Sequence, residues 1–247
     1  MRKLMAAAVS GALFSSPVLA GAPQYPDLVS VTPDAINVAK GGSGETLLRF
    51  SIGIANIGAG PLELHPVNSG GVSTAMQWVY DPAGAVVSQT VAGTAAYHVA
   101  HKHWHMSDLT KYELRSSMLD GSLVAGGEKI TYCLIDWVQV EQNGLGNDGV
   151  YKDCYSAESI QGISPNWLDQ YHHSTAGQEL PMPATPGVYF LVNTVNPNGV
   201  ASAPQRYLES DYGNNVGWTK FELERSGSSW KITILATGGL DAVTTNR

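Results

Sequence analysis

Residues 101–105 read HKHWH, so three of the seven histidines in the chain alternate with Lys102 and Trp104. On a β-strand, positions i, i+2 and i+4 face one side, so His101, His103 and His105 can converge. Their Cα atoms would spread over roughly 13 Å at strand rise. A twisted or bulged strand, with imidazole arms, can still gather three nitrogens on one ion. Imidazole suits copper, zinc, iron and nickel, and three neutral donors leave a coordination position open for chemistry. A solvent-facing strand with coincidental histidines is the plain alternative, and strict alternation of three favours a metal. Spacing alone does not choose among a zinc hydrolase, a superoxide-handling copper site and a copper carrier.

The elements that would position these residues read as strands. Gly and Pro are abundant, at 27 and 13 residues, and helical periodicity is scarce. In LLRFSIGIANIG, Leu48, Phe50, Ile52 and Ile54 fall on one face. MQWVYDPAGAVV predicts two strands around a Pro-Gly turn, and FELERSGSSWKITIL a closing hairpin turning at SGSS. GVYFLVNTV is β-branched and aromatic. SPNWLDQYHHS predicts a short helix, with Ser164 as its N-cap and Pro165 at its first position. The expected fold is all-β: a sandwich-like single domain with long loops and one or two short helices. Loops such as 137–162 would carry function.

Residues 1–20 read as a secretory signal peptide: Arg2 and Lys3, a short apolar run, and a small-residue exit at Val18 and Ala20. Its removal would leave residues 21–247 as one domain and take the formal charge from −7 to −9. No later run approaches the ~20 apolar residues of a transmembrane helix, so no membrane span is expected in the mature chain. Acidity argues against nucleic acid as a partner and is compatible with amines. The expected location is secreted or periplasmic, where Cys133 and Cys154 would pair as a disulfide.

HVAHKHWHMSDLTKYEL, GGEKITYCLID, QGISPNWLDQY, PGVYFLVNTVNP and ESDYGNN occur in that order. Together, from Pro26 to about Phe221, they resemble the lysyl oxidase catalytic domain. The resemblance implies that His101, His103 and His105 bind Cu2+. It also implies that Lys129 of GEKITYC and Tyr171 of QGISPNWLDQY join as lysine tyrosylquinone. It implies oxidative deamination of primary amines or peptidyl lysine by O2, releasing an aldehyde, ammonia and hydrogen peroxide. A base near the quinone must take a proton from the amine's α-carbon, and Asp169 and Asp136 are the candidates. The resemblance further implies a structural Ca2+ held by Asp27, Leu28, Glu209, Asp211, Asn214 and Asn215, a set rich in hard oxygens.

The chain departs from animal members in having two cysteines, and in placing Lys111 before Tyr112 where those members tend to have His. The rival functional readings are an exported copper carrier without turnover and a structural domain. A covalent bond between Lys129 and Tyr171 separates the enzyme from both.

Overall fold

The computed structural model describes residues 21–69, 71–100, 102–129, 133–140, 148–155, 160–197 and 207–241, with the backbone alone at 127–129. The predicted signal peptide lies outside these residues. Among the described residues, three antiparallel sheets make up the fold. The first joins β1 (Leu28–Lys40), β2 (Thr46–Asn56), β11 (Trp167–Tyr171) and β9 (Val138–Gln139), with β12 (Glu179–Pro181) also paired to β2. The second runs β10 (Gln161–Ile163), β3 (Leu62–Ser69), β4 (Val72–Tyr80), β5 (Val86–His98) and β6 (His103–Met106). The third runs β15 (Ser229–Gly238), β14 (Val216–Ser226), β13 (Gly187–Val195), β7 (Thr110–Ser116) and β8 (Leu123–Lys129).

Alternation along β2 explains the layering. Leu48, Phe50, Ile52 and Ile54 are all buried on one face, as their spacing predicts. Ile54 joins Leu28, Leu62, Leu64, Trp104 and Met106 in a core between the first and second sheets. Leu48, Phe50 and Ile52 join Tyr112, Leu114, Leu191 and Phe221 in a core between the first and third. The opposite face of the first sheet buries Val31, Ala55 and Leu168 in a smaller cluster. The Pro-Gly turn between β4 and β5 and the β14–β15 hairpin form where the sequence places them.

The predicted helix over 164–174 does not form, and no helix occurs among the described residues. Ser164 to Trp167 make a turn closed by Trp167 N–H donating to the Ser164 carbonyl at 3.1 Å. Pro165 occupies the first central position and Asn166, at φ 65°, the second. That is the type II turn chemistry of Pro followed by a positive-φ residue. Five residues of β11 then pair with β2, from Trp167 opposite Asn56 to Tyr171 opposite Ile52. A helix this short has little stability of its own, whereas the edge of β2 supplies a ready ladder.

Candidate metal and cofactor site

The histidine segment sits on the β5–β6 hairpin at the edge of the second sheet. β6 begins at His103, and Lys102 takes a left-handed φ of 59° with its N–H donating to the His98 carbonyl at 2.8 Å. The alternation argument therefore applies to His103 and His105 but not to a single strand running through all three histidines; His101 lies outside the described residues. His103 and His105 point the same way, with their Nε2 atoms 2.9 Å apart. Two imidazoles on one ion, with bonds of about 2.0–2.1 Å at a right angle, would stand about 2.9 Å apart, so the pair fits a shared metal. Trp104, between them, faces the core. His98 pairs across the hairpin with His103, and its ring stacks on His105 at 5.0 Å. Sequence reasoning missed His98, since only the cross-strand register brings it there. Among the described residues no group of three His, Cys, Asp or Glu is placed to hold a metal.

Tyr171 ends β11 and packs against both main cores. Its hydroxyl accepts the Cys133 N–H at 2.8 Å. Burial chiefly, with the negative charge of Asp169, pushes this phenol well above its ordinary pKa, and the Cys133 N–H opposes that rise. Asp169 lies two residues earlier on the same strand face and is buried at 4% exposure. Cys133 bonds to Cys154, with 5.8 Å between Cα atoms, as the sequence predicts. The next residue, Tyr155, sets its ring edge-to-face with His103 at a centroid separation of 5.9 Å, and its phenol also acts electrostatically on Tyr171. The disulfide thus links the residue that donates to Tyr171 with the neighbour of the tyrosine that meets His103. The backbone of Lys129 closes β8 opposite Thr110; its side chain lies outside the described residues.

The two candidate bases differ. Asp136 Oδ2 accepts the Val150 and Tyr151 N–H groups at 2.6 and 3.0 Å and the Ser164 hydroxyl at 2.7 Å, while Oδ1 accepts the Ser164 N–H at 2.7 Å. A carboxylate so surrounded by donors organises the loop. A second anchor is Glu63, which accepts hydrogen bonds from Tyr80, Tyr151 and His65. Burial alone would raise its pKa, but the bonds from His65, Tyr151 and Tyr80 outweigh it and hold the carboxyl below its usual range.

The residues expected around calcium largely converge. Glu209 accepts the Leu28 N–H at 2.8 Å, and the side-chain amides of Asn196 and Asn215 at 2.6 and 2.7 Å. Asn214 donates to Asp27 at 2.9 Å. The Oδ1 atoms of Asn214 and Asn215 are buried without a hydrogen-bond partner. Burial, helped by Asp27, raises the Glu209 carboxyl to about 7 against the pull of its three donors. Two carboxylates beside two unmet amide oxygens fit a hard cation. Asp211, on the same segment, is exposed and accepts the Gly213 N–H at 2.7 Å.

A family model described as lysyl oxidase matches residues 83–232. Human lysyl oxidase homolog 1 is 31% identical over 125 residues, which is 50% of this chain and 19% of that protein. The Bos taurus lysyl oxidase homolog 1 matches at the same identity and coverage. The chain thus spans about a fifth of the length of these relatives.

Proposed function

The chain belongs to the lysyl oxidase family, and from that premise we propose that it is an exported copper amine oxidase. It takes primary amines or peptidyl lysine with O2 and yields aldehyde, ammonia and hydrogen peroxide. His101, His103 and His105 are the copper ligands, and Lys129 and Tyr171 the precursors of lysine tyrosylquinone. The observation that carries this reading is the convergence of the His103 and His105 Nε2 atoms at 2.9 Å, with Tyr155 in ring contact with His103 and acting electrostatically on Tyr171.

Copper there would act as a Lewis acid that favours the phenolate of Tyr171 and its oxidation. The protein supplies position and protonation. The Cys133 N–H holds the Tyr171 oxygen, and burial keeps the phenol neutral until a cation is near. Asp169 serves as the base that takes the α-proton, because it shares a strand face with Tyr171 while Asp136 is committed to its loop. Residues 1–20 are the signal that sends the chain out of the cell or to the periplasm, and 21–247 form the catalytic domain. Asp27, Leu28, Glu209, Asp211, Asn214 and Asn215 hold a structural calcium that fastens the start of β1 to the segment before β14.

The test is to load the chain with copper in air, digest it, and search by mass spectrometry for a peptide pair joining Lys129 to oxidised Tyr171. Its appearance, together with peroxide release on adding n-butylamine, is the expected result. If both residues emerge unmodified from copper-loaded protein, the enzyme reading is lost and copper carriage replaces it.

A further inference from the structure

The geometry points to Tyr155 as the residue that selects the amine, its ring forming the wall against which the substrate's alkyl chain lies. This rests on the amine oxidase reading. Tyr155 is a large aromatic side chain left 69% exposed. Cys154, fully buried and cross-linked to Cys133, anchors its backbone on one side. Its own N–H donates to the Asp153 carboxylate at 2.6 Å, a local turn that sets the direction of the chain. The ring then meets His103 edge-to-face at 5.9 Å and stands within electrostatic reach of Tyr171.

An exposed ring in contact with His103 and acting electrostatically on Tyr171 is placed to border the path of an amine that reaches Tyr171 from solvent. A primary amine brings an alkyl chain along with its nitrogen. When the nitrogen reaches the position of Tyr171, the chain trails back toward solvent, past Tyr155. Each methylene removed from water on such a wall contributes about 0.8 kcal/mol when fully buried. A half-covered methylene on an open ring therefore improves binding about twofold, so affinity climbs with chain length. Val99, 78% exposed in the turn between His98 and His103, adds apolar surface at the same end of the hairpin. The wall makes this a site for extended alkylamines, lysine side chains among them, in preference to methylamine or ethylamine.

The experiment measures how affinity varies with chain length. In the copper-loaded protein, KM is determined for ethylamine, n-butylamine and n-hexylamine in wild type, Tyr155→Phe and Tyr155→Ala, each normalised to its cross-linked fraction. Wild type and Tyr155→Phe should show KM falling about tenfold from two to six carbons, and Tyr155→Ala a nearly flat series. A general structural defect would raise KM for all three amines alike and leave the slope. The same series is read as direct binding, by NMR titration, to copper-loaded Tyr171→Phe, in which no quinone forms. That arm does not depend on turnover, so a wild type without quinone defeats the enzyme reading without deciding the fate of Tyr155. A chain-length slope that survives Tyr155→Ala in both arms, or is absent from wild type in both, overturns the inference.

Discussion

His103 and His105 form a pair because one residue separates them on a strand whose inner face is taken by Trp104 and Met106. Replacing His105 with Ala should remove most bound copper, measured by metal analysis after dialysis, whereas His65→Ala, on the Glu63 cluster, should retain it. Retention of full copper by His105→Ala would take the metal away from this hairpin. The two aspartates separate in the same manner. Asp169→Asn should keep the Lys129–Tyr171 cross-link yet lower kcat by about 10²-fold or more, as loss of a general base does. Asp136→Asn should instead lower the melting temperature, since its oxygens serve two backbone N–H groups of the 148–155 loop and both Ser164 donors. Glu63 has a pKa below its ordinary 4.5. Its contribution to stability is therefore complete above that value and lost as pH falls through the lower, folded-state pKa. In Glu63→Gln the acid limb of the unfolding curve, followed by circular dichroism, should flatten. An unchanged limb would show that Tyr80, Tyr151 and His65 do not favour the charged form.

Among the elements, the segment from Asp27 to the start of β1 is tied to the Glu209–Asn215 segment through Glu209. Its folded-state carboxyl lies near 7, above the ordinary 4.5, so the stability it provides is full below 4.5 and lost as pH rises through 7. A cation that takes the proton's place restores it. Calcium should therefore raise the melting temperature at pH 8, by roughly 5–10 °C at a hundredfold excess over Kd, and much less at pH 5. Absence of any rise at pH 8 would remove calcium from the reading. Strand periodicity made β2, the β4–β5 turn and the β14–β15 hairpin legible in the sequence, because half-buried strands write their alternation directly. β11 was not legible. Ser-Pro-Asn-Trp satisfies both a helix start and a type II turn, and the edge of β2 that decides between them lies more than a hundred residues away. His98 was hidden for a similar reason: its neighbours come from register across a hairpin, and a run of alternating residues ends at the turn. The convergence of Asp27, Glu209, Asn214 and Asn215 depends on contacts between the two ends of the chain.

Across the whole molecule, one disulfide joins the two parts of the site. Cys133 offers its amide to Tyr171, and Cys154 precedes Tyr155 beside His103. The Cys133→Ser, Cys154→Ser double variant should lose about 3 kcal/mol, as expected for a loop of this length. At equal copper content it should also form the Lys129–Tyr171 link more slowly, followed as cross-linked peptide against time. A rate equal to wild type would confine the disulfide to stability. With that bond in place, the site acquires a clock as well as a brace. On the proposed export route, thiols stay reduced where the chain is made and pair only after it leaves. Until then the phenol lacks its fixed donor and the wall beside it lacks its anchor. On the amine oxidase proposal, a chain held back inside the cell would be a dormant precursor, and the oxidising environment that closes the loop would also decide where hydrogen peroxide is first released.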